Sequence, residues 1–258
     1  MTKIISFANH KGGVGKTCSV VNLGAGLSKH GKHVLLIDLD PQANLSLSLG
    51  ITTPIKTIYG VLIGSYPLAE AIVPTTKNLD LVPSTLDLSG AELELASETG
   101  RELILKDFLD PVKNRYDFIL IDCPPSLGLL TLNALTASDE VMIPLQAEFL
   151  ATQGLAKLNG VIDKVKAKLN KKLKIGGVFL TQYDNRKILN RDVAKTVEAF
   201  FEDKVFKTKI RDNIALGEAP SSGQDIFRYN PKSTGALDYL ALTKEILARA
   251  KKLPTKTR

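Results

Sequence analysis

Lys11-Gly12-Gly13-Val14-Gly15-Lys16-Thr17 is the stretch on which the reading of this chain turns. It follows an apolar run, Lys3–Ala8, that reads as a strand. It opens a segment, Lys16–Lys29, whose Val20, Val21, Leu23 and Leu27 fall on the inner side of a helix. In a strand, glycine-rich loop and helix of this kind, successive backbone N–H groups turn inward and the helix N-terminus adds partial positive charge, which suits phosphate. Lys16 is then placed to reach the β/γ-phosphates and the Thr17 hydroxyl to ligate Mg²⁺. The common pattern GxxxxGK[ST] has glycine where this chain has His10, and a second lysine, Lys11, stands at the front of the loop. Nucleotide contacts are expected from Lys11, Gly12, Gly13, Val14, Gly15, Lys16, Thr17 and Cys18.

Beyond the loop, Val34–Asp38, Phe118–Asp122, Val141–Leu145 and Ile175–Leu180 are apolar runs without alternation, as in parallel strands covered on both faces, and Leu79–Val82 is a shorter candidate. Helical stretches are predicted at Leu86–Leu109, Gly128–Ala137, Thr152–Leu169, Arg191–Phe201 and Gly235–Lys251, with a Gly/Pro/Ser-rich loop at Gly217–Gly223. This alternation predicts an α/β fold: a single P-loop domain over residues 1–258, its mostly parallel twisted sheet flanked by helices on both faces. Residues 252–258 read as a frayed basic tail. Ligands of such sheets bind outside the carboxyl ends of the strands. Asp38 and Asp40 close one strand and Asp122 another, so all three carboxylates are expected beside the phosphate loop, where a metal needs acidic partners.

Composition narrows the class. With 258 residues, 44% hydrophobic and 24% charged, the chain has material for a large core. It has no apolar run of the roughly 18–20 residues a membrane span needs and no signal-peptide pattern at its start. Two cysteines, Cys18 and Cys123, make neither a disulfide framework nor a zinc site, and a reducing cytoplasm is the expected compartment. The net charge of +7 is unevenly spread: residues 1–156 carry 11 Lys+Arg against 16 Asp+Glu, and residues 157–258 carry 23 against 11. A basic half on an acidic half points to a polyanionic partner. The six lysines of Lys164–Lys174 also fit a solvated helix face.

Taken together, KGGVGKT (11–17), LLIDLDPQAN (35–44) and FILIDCPPSLG (118–128) resemble the deviant Walker A ATPases of the ParA/MinD group. Pro144-Leu145-Gln146-Ala147-Glu148 and Leu216-Gly217-Glu218-Ala219-Pro220-Ser221 are similar to the ParA (Soj-like) partition branch, and the likeness runs from residue 3 to about residue 250. The resemblance implies an ATP-bound sandwich homodimer in which Lys11 reaches the phosphates held by the other protomer while Lys16 serves its own. It further implies that Thr17, Asp122 and Asp38 organise Mg²⁺, that Asp40 positions the attacking water, and that Gln182, Tyr183, Asp184 and the Arg211–Ala215 loop, with Asn213, hold adenine. A membrane-binding amphipathic tail is not expected, because Lys251–Arg258 holds one apolar residue and Pro254. Nor is an N-terminal helix-turn-helix domain, since the loop begins ten residues in.

The implied function is an ATPase that binds double-stranded DNA nonspecifically on the nucleoid and is released when a ParB-type, centromere-bound partner stimulates hydrolysis. A cargo-positioning ATPase of the same family is the alternative, and a metal-cluster-loading or metabolic P-loop enzyme ranks third. Nonspecific DNA binding needs Lys and Arg near phosphates rather than base readout. Candidates are Arg186, Lys187, Arg191, Lys204, Lys207, Lys209, Arg211, Arg249, Lys251 and Lys252. Arg186 stands where Soj-like proteins carry a DNA-contacting arginine, whereas Ala215 stands where a second is expected.

Overall fold

Seven strands form one sheet in the order β3-β4-β2-β5-β1-β6-β7. The strands are β1 (Lys3–Phe7), β2 (Val34–Asp38), β3 (Val73–Thr76), β4 (Leu79–Val82), β5 (Phe118–Asp122), β6 (Glu140–Gln146) and β7 (Lys174–Thr181). The computed structural model describes residues 2–148 and 151–252, and the side chains of residues 151–154 and 251–252 fall outside that description. All neighbouring strands are parallel except β3 against β4. The longer helices are α1 (Lys16–Lys29), α2 (Leu129–Ala137), α3 (Ala151–Lys168), α4 (Ile188–Phe201) and α5 (Thr234–Lys252).

β2 and β5 are buried at every position, which is what their unalternating apolar sequences require of strands sandwiched between helices. Two apolar clusters form, one on each face of the sheet. The first includes Leu35, Ile37, Ile119, Ile121, Leu158 and Val197. The second includes Leu36, Leu120 and Phe179 of the sheet, Val20 and Leu23 of α1, and Leu242 of α5. The α/β architecture expected from sequence is the one observed.

Three local expectations are corrected. The stretch Leu86–Leu109 is broken into a helix at Leu88–Glu94, a 3₁₀ turn at Leu95–Ser97 and a helix at Ile104–Leu109. Gly100, at φ 71, reverses the chain between them, and each piece buries its own few apolar residues. The Gly217–Gly223 segment is not an open loop: Ile214–Glu218 is helical and Ala219–Ser222 is a 3₁₀ turn. The unforeseen β3 is an antiparallel edge strand holding Pro74, whose missing N–H only an edge tolerates. Of the tail expected at 252–258, Lys252 is the last residue of α5, and 253–258 lie outside the described residues.

Candidate functional site

Register assembles the site. In the β2–β5 pairing Asp38 is the partner of Asp122, and in the β1–β5 pairing Phe7 is the partner of Asp122. The phosphate loop leaves β1 at that same edge, so loop and carboxylates meet at the carboxyl ends of three adjacent strands. Gly13 (φ 72) and Gly15 (φ 84) take the left-handed backbone that turns the loop back onto α1. Two side chains at the end of β7 latch it from outside: Thr181 Oγ1 donates to Val14 O at 2.9 Å and Gln182 Nε2 donates to Gly13 O at 2.9 Å. Asn9 holds its entrance, donating to Pro144 O at 2.8 Å and accepting from Lys11 N at 3.0 Å.

Lys16 is buried, with Nζ 3.4 Å from Lys11 O. Thr17 Oγ1 donates to Asp122 Oδ2 at 2.6 Å, while Asp122 Oδ1 is buried with no hydrogen-bond partner. Asp38 is fully engaged by its surroundings: Oδ2 accepts from Ser46 N (2.8 Å) and Ser46 Oγ (2.7 Å), and Oδ1 from Asp40 N (3.3 Å). Asp40 Oδ1 accepts from Gln42 N at 3.0 Å, and its side chain lines the cavity. Burial pushes the Asp122 carboxyl well above the ordinary range, and the neighbouring Asp38 charge adds to the effect against Thr17 and Lys16. Asp38 is pushed up to about 6, again mainly by burial, against the Ser46 hydrogen bonds.

These groups fit a magnesium ion carried with a nucleotide. A buried carboxylate oxygen without a partner and a hydroxyl beside it are oxygen ligands suited to a cation, and the buried Lys16 ammonium suits phosphate. Among the described residues no three His, Cys, Asp or Glu form an all-protein metal cage. Mg²⁺ at such a site relies on one or two carboxylates, water and substrate phosphates.

A cavity of about 800 Å³ runs from the loop over α1 to the segment after β7. Gly12, Gly13, Gly15, Lys16, Thr17, Cys18, Gln182, Arg211 and Asn213 all line it. Tyr183 and Asp184 are not in its lining: Tyr183 N donates to Ile210 O, its ring sits under Lys209, and Asp184 holds Arg186. Val14 is buried behind the loop. Cys18 faces the cavity, its thiol pushed up by burial.

Lys11 is held within its own chain, by Glu148 and by Gln146 Oε1 at 3.5 Å. Sequence reasoning missed Asn9, Ser46, Glu148, Thr181 and Asp238. Only Asn9, next to the loop, carried a positional signal.

The candidate DNA-binding cations are dispersed. Arg186 is 86% exposed in its side chain and chelated by Asp184, with Nε to Oδ1 at 2.9 Å and Nη2 to Oδ2 at 2.8 Å. Lys187 is exposed beside it. Arg211 is forked onto Asp238 of α5, with Nη2 to Oδ1 at 2.6 Å and Nε to Oδ2 at 2.9 Å. Arg249 lies at the opposite end of the sheet, in a second cavity with Lys3 and Lys174. Its guanidinium donates to Lys204 O, Val205 O and Glu245, stacked 3.8 Å over Phe206. Lys251 and Lys252 end α5, and their side chains lie outside the description.

Fold and site define a P-loop nucleotide-binding protein with an additional lysine at the front of the loop. An AAA domain family model matches residues 2–175. The chain is 49% identical to the chromosome-partitioning ATPase Soj of Treponema pallidum over 96% of this chain and 98% of that protein. It is 46% identical to the chromosome partitioning protein ParA of Caulobacter vibrioides over 96% and 94%. The fold superposes with TM-score 0.87 on a Mycobacterium smegmatis protein named cobyrinic acid a,c-diamide synthase, crystallised with an ATP analog and magnesium (37% identity, covering 98% of this chain and 97% of that one). The chain belongs to the Soj/ParA family of chromosome-partitioning ATPases.

Proposed function

We propose that this chain is a partition ATPase that binds ATP and Mg²⁺, dimerises on ATP, holds double-stranded DNA without sequence preference, and lets go when a ParB-type partner stimulates hydrolysis. The observation that carries this reading is the pair of lysines with different surroundings. Lys16 is buried against its own loop, placed for the phosphates of its own nucleotide, whereas Lys11 points away from that loop onto exposed Glu148. A lysine so placed can serve a nucleotide on a second copy by exchanging Glu148 for phosphate. Thr17 and the unpartnered oxygen of Asp122 would hold Mg²⁺, with Asp38 steadying the shell from behind through Ser46. The ion supplies charge neutralisation at the β/γ-phosphates. Asp40, in the cavity wall and anchored by Gln42, is placed to orient the attacking water. Arg211 and Asn213, in the segment after β7, border the part of the cavity where a base would lie, with Gln182 between them and the phosphate loop.

The basic C-terminal half supports a DNA partner, and Arg186 with Lys187 is its most exposed element beside the site. Work on the nucleoid in the cytoplasm follows from that reading. Among the described residues no helix is long and apolar enough to cross a membrane. A metabolic role has one observation in its favour, the name of the M. smegmatis neighbour, but the partition relatives are closer in sequence. Retention of unrelated duplexes with ATP, with ADP and without nucleotide tests the reading. Retention confined to ATP supports it, and no retention in any state rejects it.

A further inference from the structure

Asn190, 7% exposed in the first turn of α4, uses both ends of its amide between two loops. Its Nδ2 donates to Ala147 O at 2.8 Å, and its Oδ1 accepts from Asp184 N at 2.8 Å. A carbonyl on one side and an N–H on the other leave only this orientation of the amide. Each loop holds a cation of the proposed cycle. Ala147 lies between Gln146 and Glu148, the two side chains that hold Lys11. Asp184 is the carboxylate that clasps Arg186 through Nε, Nη2 and the backbone N–H. Gln146 Nε2 also donates to Gln182 Oε1 at 2.7 Å, and Gln182 donates on to the phosphate loop. Hydrogen bonds joined through the backbone of residues 146–148 and of Asp184 therefore link Lys11 to Arg186.

We propose that Asn190 is a positioning residue that couples the state of Lys11 to the presentation of Arg186 to DNA phosphates. The coupling rests on the partition reading above. One ammonium cannot serve both Glu148 and a nucleotide on a second copy. When Lys11 moves to phosphate, the strap 146–148 loses its anchor, and Asn190 carries the displacement to Asp184 and the arginine it orients. Such a coupling has a two-state element, the position of Lys11, which both ends bias.

Asn190→Asp keeps the acceptor for Asp184 N and replaces the donor to Ala147 O with a repelling oxygen. Asn190→Ala removes both bonds and serves should the first variant fail to fold. In the full chain, the ratio of duplex affinity in ATP–Mg²⁺ to that in ADP–Mg²⁺ is expected to fall at least about fivefold, the low end of ordinary coupling. ATP-driven self-association and ATP turnover without the partner stay unchanged. A ratio preserved in the variants overturns the proposal, and so does a ratio lost only together with self-association. Hydrogen exchange of the amides at 184–190 separates this inference from the DNA reading. ATP should alter it in the parent chain and not in Asn190→Asp even if no duplex is bound in any state, and identical responses reject the coupling.

Discussion

Thr17 Oγ1 and Asp122 Oδ2 lie 2.6 Å apart, joining the head of α1 to the end of β5 across 105 residues of sequence. The other oxygen of Asp122 has no partner, so this bond is what orients the carboxylate toward the loop. Thr17→Val keeps the shape and removes the donor. The expected cost in the nucleotide-free protein is about 1–3 kcal/mol for a buried acceptor left unmade, measured by urea unfolding. The Mg²⁺ concentration needed for ATP turnover should rise at the same time.

Gly12 has open space where a Cβ would be, and its backbone is not in the left-handed region, unlike Gly13 and Gly15. Gly12→Val is therefore expected to fold and bind ATP as a monomer. The branched side chain obstructs only the close approach of a second loop. Sedimentation with ATP and Mg²⁺ should show self-association weakened about 10-fold or more, equivalent to about 1.4 kcal/mol. Unchanged association would contradict the sandwich arrangement.

Asp40 lines the cavity without belonging to the Thr17–Asp122 pair, which leaves both lysines and the metal residues intact when it is replaced. Asp40→Ala should bind ATP and self-associate, with turnover lowered about 100-fold or more. The trapped dimer should stay on DNA longer than the parent. Failure to self-associate would make Asp40 a binding residue.

Arg186 must exchange its clasp by Asp184 for phosphate before it holds DNA. In the proposed dimer two such arginines meet one duplex, so Arg186→Ala should remove about two units from the log–log salt slope, at about 0.9 per contact. ATP turnover without the partner should not change, since Arg186 is outside the cavity lining. Titration of unrelated duplexes at several salt concentrations measures this. Unchanged slope and affinity would move the DNA surface to Arg249, Lys251 and Lys252.

Asp38 titrates near 6 in the folded chain, against an ordinary value of 3.8, because it is buried. The folded state thus keeps a proton that the unfolded chain has released. The stability gained is fully present below about pH 4, fades as the pH rises toward about 6 and is absent above it, a change of about 3 kcal/mol at 1.36 kcal/mol per unit. Asp122, raised in the same direction, reinforces the slope. Denaturant midpoints of the nucleotide-free protein should show this decline, and Asp38→Asn should make it shallower, leaving the part that Asp122 contributes.

The phosphate loop, the three carboxylates and six of the seven strands were legible because each depends on local sequence. Lys16–Lys29, Val34–Asp38 and Phe118–Asp122 carry apolar runs or helical periods that end where the elements end. Parallel pairing then forces strand ends together, so Asp38, Asp122 and the loop had to meet. The break at Gly100 was not legible, since helical periodicity continues on both sides of it and only the backbone there shows φ 71. Nor was β3, whose Pro74 argues against a strand unless the position is known to be an edge.

The charged partners were beyond the sequence for a different reason. Lys11 pairs with Glu148, 137 residues away, and Arg211 with Asp238, 27 residues away, while Arg186 pairs with Asp184, only two residues away. A lysine or arginine is readable as a free cation until folding brings a carboxylate to it. The chain's own amino acids thus determined that phosphate and magnesium are ligands it suits, and that its positive charge gathers in the C-terminal half. Tertiary structure alone decided which cations stand free and which are already held, because ion pairing depends on distances of a few ångströms that side chains acquire only when their elements pack.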